Sequence, residues 1–327
     1  MSNIKSGEPR IEIERLHFGK VTRKSVGDRH KGWLSDSTAL HLALGTAQFG
    51  LDYGISNHSG KVCEDEARLI LNKAKGAGVD TLDTAISYGD CEAVLGRLGV
   101  EDWKVVTKLP AQNLQTSNLA DEVVDSVRDS LQRLGTDRLH GLLLHRPLQL
   151  LEPGGEALLA GLESCREEGL VRRIGISVYG PDEIEAIWPL FLPDLVQTSL
   201  NVLDRRVLES GWMKRMNEEG VEVHARSTFL QGLLLIPSDR RPSYFSRWGD
   251  LFSRWDLWLE ESGISPLAAC LGFSLAQEGV DKVLVGLESV SQLEEVLREA
   301  DRPSVAVPDS IVSNDPDLID PSRWMSQ

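Results

Sequence analysis

Short apolar runs alternate with longer amphipathic stretches along most of the chain. Eight of the short runs have the length and composition of buried strands, and several are continuously apolar, such as the leucines before His145. Such runs are typical of parallel strands that are covered on both faces. The predicted strands are His41–Gly45, Thr81–Asp83, Val105–Lys108, Gly141–His145, Arg173–Ser177, Leu195–Ser199, Val221–Ala225 and Lys282–Val285.

The amphipathic stretches between these runs predict helices. In Asp65–Gly76 and Val123–Leu134 the apolar residues recur at spacings of three and four, which places them on one helix face. Pro181–Phe191 opens with Pro, Asp and Glu, a favourable helix start, and Ser291–Glu299 follows the last strand. The alternation predicts an α/β fold, a single-domain (β/α)8 barrel. An open doubly wound sheet is the alternative, which the lack of a GxGxxG motif after the first strand disfavours.

Two segments lie outside this alternation of predicted strands and helices. Residues 1–40 form an N-terminal extension, with an alternating run at Ile11 and Ile13 that predicts either a hairpin or disorder, and residues 41–327 form the barrel. The segment Leu234–Gly263, which contains three tryptophans, is too long for a simple turn. It is either a packed excursion with its own helix or a lid over a ligand.

Composition narrows the possible partners and location. The chain has 327 residues, more than the roughly 250 that such a barrel needs. A net charge of -15 argues against nucleic acid or an anionic membrane as partner. The sequence shows neither a signal-peptide core nor an apolar run of about 18 residues. Its four scattered cysteines form no CxxC pair, which predicts free thiols in a reducing cytoplasm and no metal site.

Polar side chains end three neighbouring strands. Asp83 ends the second, with Tyr88 in the following loop, Lys108 ends the third and His145 the fourth. The active site of such a barrel lies at these carboxyl ends. Each residue alone is more often a cap, a surface charge or a packed side chain; their succession on consecutive strands is what indicates chemistry.

The four residues suit carbonyl reduction, which needs a hydride and a proton. No side chain supplies a hydride, so a nicotinamide cofactor is implied. The phenol of Tyr88 is a candidate acid, and a nearby cation such as Lys108 would favour its charged form. Asp83 would hold Lys108 in place, and His145 would orient the carbonyl by a hydrogen bond.

The order of several motifs resembles the aldo-keto reductase superfamily over roughly Leu42–Leu297. The motifs are LALGTAQFG, LDTAISYGDCEAVLG, VVTKLP, LLLHRP, IGISVYG, VQTSLNVLDRR, FLQGLL and VLVGLESVSQLEEVL. The resemblance implies a catalytic tetrad of Asp83, Tyr88, Lys108 and His145, with Tyr88 as the general acid. It also implies a nicotinamide cofactor that is bound without a Rossmann fold.

The same resemblance implies a set of cofactor contacts. Ser177 and Gln197 would meet the nicotinamide carboxamide, and Thr46 and Asp83 would lie near its ribose. Further contacts, from the stacking position through the pyrophosphate to the adenosine end, would come from Arg226, Phe229, Gln231, Gly232, Gly286, Ser289, Gln292 and Glu295. Glycines allow close approach of the backbone to phosphates, and a helix start near Ser289 could bind an anion.

Three residues depart from the family pattern. Val178 follows Ser177 where many members have Asn, and Arg226 stands where many have a tyrosine that stacks on the nicotinamide. The segment Gly286–Gln292, which often carries Lys or Arg for the 2′-phosphate of NADP, holds no cation and contains Glu288. We therefore expect NADP(H) as the family default with NAD(H) also used, and at most a modest preference for NADPH. The resemblance also suggests that Trp324, near the end of the chain, either closes over the substrate or packs on the barrel wall.

Two functions follow from the resemblance. The first is an NAD(P)H-dependent oxidoreductase that interconverts a small aldehyde, ketone or sugar-derived carbonyl with an alcohol. The second is a non-catalytic nicotinamide-binding redox sensor or auxiliary subunit on the same barrel. The intact set Asp83, Tyr88, Lys108 and His145 favours the enzyme.

Overall fold

The computed structural model describes residues 38–57 and 59–324 of the chain. Eight parallel strands form a closed barrel in which neighbours in sequence are neighbours in space, and the last strand pairs with the first. The strands are β1 (Leu42–Gly45), β2 (Thr81–Asp83), β3 (Lys104–Leu109), β4 (Leu139–Leu144), β5 (Val171–Val178), β6 (Leu195–Ser199), β7 (Glu222–Arg226) and β8 (Lys282–Gly286). The predicted (β/α)8 barrel is confirmed, and the prediction for the first 37 residues lies outside the described part of the chain.

Helices follow the strands and cover the barrel. They are α1 (Glu64–Ala77), α2 (Cys91–Leu98), α3 (Leu119–Leu134), α4 (Gly155–Glu167), α5 (Pro181–Ile187), α6 (Arg206–Glu209), α7 (Trp212–Glu218), α8 (Gly249–Ser262), α9 (Pro266–Leu275), α10 (Val290–Ala300) and α11 (Pro316–Ile319). The apolar face that the sequence predicts for α1 is buried, with Ile70 at 0% exposure. The predicted helix from Pro181 ends at Ile187, before Pro193 is reached.

The register of the sheet brings the carboxyl ends of the strands to one face of the barrel. Gly45 of β1 pairs with Asp83 of β2, and Ser177 of β5 pairs with Gln197 of β6. Ser199 at the end of β6 pairs with Arg226 at the end of β7. Polar residues that are far apart in the sequence therefore meet at the same rim.

The long segment after β7 is a packed excursion with a helix of its own. Short 3₁₀ turns over Leu233–Leu235, Ser238–Arg240 and Ser243–Trp248 lead into α8. The tryptophan at 255 is fully buried and stacks on the one at 258. Most apolar residues of Leu234–Gly263 pack against other apolar side chains. Within this range only Leu235 lines the cleft described below.

No helix within residues 38–57 and 59–324 is long and apolar enough to cross a bilayer.

Candidate active site

A cleft with a volume of about 340 Å³ opens at the carboxyl ends of the strands. Volumes of this order are usual for ligand sites. All four predicted tetrad residues line it, and so do eleven of the predicted cofactor contacts: Thr46, Asp83, Ser177, Gln197, Arg226, Phe229, Gln231, Gly232, Gly286, Gln292 and Glu295. The residues that the sequence singles out are therefore brought to one place, although they span most of the barrel.

Asp83 and Lys108 form an ion pair at the floor of this cleft. Lys108 Nζ donates to Asp83 Oδ1 at 2.6 Å and to the Thr84 carbonyl at 2.9 Å. The two side chains are 2% and 5% exposed. A buried charge of either sign needs such a partner, so the pairing offsets the cost of burying each one.

Tyr88 lies beside this pair, on the loop between β2 and α2. Lys108 Nζ lies 5.2 Å from the centre of the Tyr88 ring. Burial raises the pKa of Tyr88 above its usual value; Asp83 adds to the rise, whereas Arg226 opposes it. The lowering of this pKa that Lys108 was expected to cause is outweighed, because burial and the Asp83 carboxylate both raise it. Tyr88 is accordingly a phenol that keeps its proton at neutral pH.

His145, directly after β4, meets the Tyr88 ring edge to face. The ring centroids are 6.2 Å apart with an interplanar angle of 76°. Burial, together with the positive charges of Lys108 and Arg226, lowers the pKa of His145 to about 4. The imidazole is therefore neutral at pH 7, so it can accept or donate one hydrogen bond without carrying charge.

The predicted carboxamide contacts lie on adjacent strands. Ser177 and Gln197 are almost fully buried and face the cleft. Gln197 Nε2 donates to Asp83 Oδ2 at 2.7 Å, which ties it to the ion pair. Thr46 Oγ1 donates to the Asp83 carbonyl at 2.9 Å and so fixes the end of β2 against the loop after β1.

Arg226 is the second cation that lines the cleft. Its guanidinium lies 4.2 Å from the centre of the Tyr179 ring and donates to the Val178 carbonyl at 2.9 Å and to Ser227 Oγ at 3.1 Å. Its buried Nε has no hydrogen-bond partner among the described residues. The planar group is therefore held by these contacts at the rim of the cleft, with one face on the Tyr179 ring.

The loop after β7 has an unusual backbone. Ser227, Leu230 and Gln231 all have positive φ, at 61°, 48° and 52°. Left-handed conformations in residues other than glycine carry a cost and concentrate at functional sites. Phe229, Gln231 and Gly232 of this loop line the cleft, as the resemblance implies for a pyrophosphate contact.

The far end of the cleft is formed by the junction of β8 with α10. Gly286, Gln292 and Glu295 line it. Ser289 does not; its Oγ instead accepts from the backbone N–H of Gln292 at 3.2 Å and caps the helix. Ser289 therefore caps α10 in this structure, and its contact with the adenosine end stays a prediction.

Several residues that line the cleft were not predicted from the sequence. They include Gln48 of the LALGTAQFG motif, Tyr53 in the following loop and Tyr179 after β5. The Tyr53 hydroxyl accepts from Gln231 Nε2 at 3.2 Å, which links the loops after β1 and β7 across the cleft. The motif around Gln48 was a signal for that residue, whereas the path of the loop that carries Tyr53 depends on tertiary packing.

Trp324 packs against the segment between β7 and α8. Its ring centre lies 4.9 Å from that of Phe245, and its indole N–H donates to the Leu318 carbonyl at 3.2 Å. It does not line the cleft. Within residues 38–57 and 59–324 there is also no cluster of three potential metal-ligating His, Cys, Asp or Glu side chains.

Comparison with known proteins gives the family. The model of the aldo/keto reductase family matches residues 41–305. L-galactose dehydrogenase of Arabidopsis thaliana is 27% identical over 251 residues, which cover 72% of this chain and 78% of that protein. A rice protein described as a β subunit of a voltage-gated potassium channel is 26% identical over 272 residues, 72% of this chain and 82% of that protein.

An aldo-keto reductase of Mycolicibacterium smegmatis is more similar over a shorter stretch. It is 33% identical over 159 residues, and the match spans about half of its length, 52%, and 44% of this chain. The structure of a Bacillus halodurans aldo-keto reductase has the same fold, with a TM-score of 0.62 and 23% identity, covering 81% of this chain and 88% of that one. With a closed eight-stranded barrel, the tetrad at its rim and a family match over most of its length, this chain belongs to the aldo/keto reductase family of oxidoreductases.

Proposed function

We propose that this protein interconverts a small carbonyl compound with its alcohol by using a nicotinamide dinucleotide. The observation that carries the proposal is the arrangement of Tyr88, Lys108, Asp83 and His145 around one cleft. A protonated phenol, a neutral imidazole and a buried ion pair are the groups that carbonyl reduction needs beside the substrate oxygen.

In this proposal a bound NAD(P)H supplies the hydride to the carbonyl carbon. Tyr88 donates its phenolic proton to the carbonyl oxygen, which completes the alcohol. Lys108, which Asp83 holds in place, would be the cation beside the phenolate that remains. His145 is neutral and hydrogen-bonds the carbonyl oxygen, so it orients the substrate without competing as an acid.

The side chains along the cleft fit a dinucleotide. Uncharged donors and acceptors, such as Ser177 and Gln197, face the redox end. The left-handed backbone at Ser227, Leu230 and Gln231 turns the loop after β7 along the cleft, where a pyrophosphate would lie. The backbone at Gly286 lies so close to Gln48 that a Cβ at position 286 would be only 2.7 Å from Gln48 Nε2. NADP(H) is the family default, and NAD(H) is the second cofactor that we propose.

We propose a small polar carbonyl, such as a sugar-derived aldehyde or ketone, as the substrate. Tyr53 and Tyr179 line the same cleft as the tetrad, and their hydroxyls would hydrogen-bond a polyhydroxylated chain. L-galactose dehydrogenase, one of the relatives, acts on a sugar by its name. The four cysteines of the chain are free thiols, which supports a place in the reducing cytoplasm.

The direct test has two parts. Binding of NADH and NADPH is followed by the change in their fluorescence when the protein is added, and turnover is then measured on a panel of aldehydes, ketones and sugars. Binding with turnover supports the proposal. Tight binding without turnover on any compound would favour the alternative of a redox sensor, and lack of binding would contradict both functions.

A further inference from the structure

The far end of the cleft is where the adenosine of a dinucleotide has to lie. The reactive ring belongs next to Tyr88 and His145, and the cleft continues from there along the loop after β7 to the junction of β8 and α10. The residues that line it there include Glu288, Gln292 and Glu295. An extended dinucleotide that begins at Tyr88 therefore ends at the first turn of α10.

The backbone N–H groups at this turn already have acceptors from within the chain. Glu66 of α1 accepts from the N–H of Val290, the first residue of α10, at 2.7 Å. Ser289 Oγ accepts from Gln292, and Gln292 Oε1 accepts from the N–H of Glu288 at 2.7 Å. A helix N-terminus is normally an attractive place for a phosphate. Here a carboxylate of the protein occupies it.

The charges around this turn have the same sign as a phosphate. Glu288 and Glu295 line the cleft here, whereas Lys108 and Arg226, the Lys and Arg side chains that line it within residues 38–57 and 59–324, lie at the redox end. The cations nearest along α1 and α10 are paired with carboxylates: Lys73 with Glu294 at 2.7 Å, Arg68 with Glu64 at 3.4 Å, and Arg298 with Glu299 at 3.3 Å and Glu295 at 3.9 Å. The 2′-phosphate of NADP would carry nearly two negative charges into an acidic environment.

We propose that Glu66 is a cofactor-specificity residue, an internal anion at the start of α10 that makes the site select NAD(H) over NADP(H). This inference rests on the proposed nicotinamide-dependent function, and it departs from the sequence prediction, which was use of both cofactors with at most a modest preference for NADPH. Glu66 acts on the cofactor through the helix start, since it holds the Val290 N–H and adds its charge to those of Glu288 and Glu295.

A purely structural role for Glu66 makes a different prediction. If its carboxylate only ties α1 to α10, its removal lowers the melting temperature and changes the affinities of both dinucleotides alike. If it selects the cofactor, its removal changes the affinity for NADPH and leaves that for NADH in place. The ratio of the two dissociation constants separates these roles.

The experiment measures the dissociation constants of NADH and NADPH for the full-length protein by isothermal titration calorimetry. For the wild type we expect NADH to bind at least about tenfold more tightly. Glu66→Gln keeps a hydrogen-bond acceptor for Val290 but removes the charge, and should strengthen NADPH binding about fivefold with NADH changed less than about twofold. The gain should shrink at high salt, because it is electrostatic.

Two matched variants complete the test. Asp65→Asn removes the same charge from the neighbouring exposed residue of α1 and should leave the ratio unchanged. Glu66→Asp keeps the charge and should retain the preference for NADH, even if it lowers the melting temperature. A wild type that prefers NADPH, or a ratio that stays the same in Glu66→Gln, overturns the inference. If neither dinucleotide binds the wild type, it is the proposed function that fails.

Discussion

Lys108 places its ammonium nitrogen 2.6 Å from a carboxylate oxygen of Asp83, and both side chains are almost fully buried. The positive charge of Lys108 and the negative charge of Asp83 offset each other. The pair leaves Tyr88 facing a neutral dipole and not a lone cation, and burial therefore keeps the phenol protonated. The pair also ties the site to stability, because loss of either partner strands a buried charge.

The first prediction concerns this pair. Lys108→Met should reduce turnover about as much as loss of the Tyr88 phenol, about 10²–10⁴-fold, because the two residues act on the same proton. It should also raise the pKa of the acid in the pH–rate profile, since the unpaired Asp83 carboxylate disfavours the phenolate.

The coupling is checked with double mutants. Tyr88→Phe/Lys108→Met should be little worse than either single variant, and fully multiplicative losses would show that the residues act independently. The single variant Lys108→Met should lose about 3–5 kcal/mol of stability in chemical denaturation, because Asp83 is left unpaired. Lys108→Met/Asp83→Asn should recover part of that stability but not the activity.

The second prediction concerns pH and His145. Burial lowers the pKa of this imidazole from 6.5 to about 4, so the unfolded chain binds more protons than the folded one between these values. The stability that follows is present above pH 6.5 and is lost as the pH falls towards 4. His145→Asn should flatten the dependence of the free energy of unfolding on pH within this window. An unchanged slope in that variant would contradict the lowered pKa.

The third prediction concerns Arg226 and the redox state of the cofactor. The oxidised nicotinamide ring is cationic and the reduced ring is neutral, so a guanidinium beside the ring disfavours the oxidised form. Arg226→Met should lower the dissociation constant of the oxidised dinucleotide relative to the reduced one by about fivefold. Arg146→Met, at an exposed arginine next to His145, is the control and should leave the ratio unchanged. Equal ratios in wild type and Arg226→Met would place the guanidinium away from the ring.

The sequence was sufficient to predict the barrel and the meeting of Asp83, Lys108 and His145 at one rim, because both depend on local patterns. An apolar run that ends in Asp83, Lys108 or His145 predicts both a buried strand and the polar residue at its carboxyl end. Closing a parallel barrel then brings these termini to one rim, whatever the lengths of the connecting loops.

Contacts between distant elements could not be predicted in the same way. In the sequence Glu66 is an ordinary acidic residue of a first helical turn, and its contact with Val290 exists only because α1 packs beside α10 where the barrel closes. At the opposite ends of the strands, Glu222 accepts from His140 at 3.0 Å and from His224 at 2.8 Å, and it pairs with Arg173 at 2.8 Å. That cluster joins β4, β5 and β7, and no local sequence motif predicts it.

Tyr88 and Tyr53 together give the most direct test of the proposed chemistry. Both phenols line the cleft, but only Tyr88 lies beside the Lys108–Asp83 pair. Tyr53→Phe is therefore a matched control that removes one phenolic hydroxyl from the same cleft.

The decisive measurement is the rate of the hydride-transfer step in single turnovers, followed by the loss of reduced-cofactor absorbance in a stopped-flow instrument. The substrate is one identified in the panel, and wild type, Tyr88→Phe and Tyr53→Phe are compared. Tyr88→Phe should bind the cofactor as the wild type does and lose about 10²–10⁴-fold in this rate, whereas Tyr53→Phe should stay within about tenfold. A near-native rate in Tyr88→Phe would contradict the assignment of Tyr88 as the general acid.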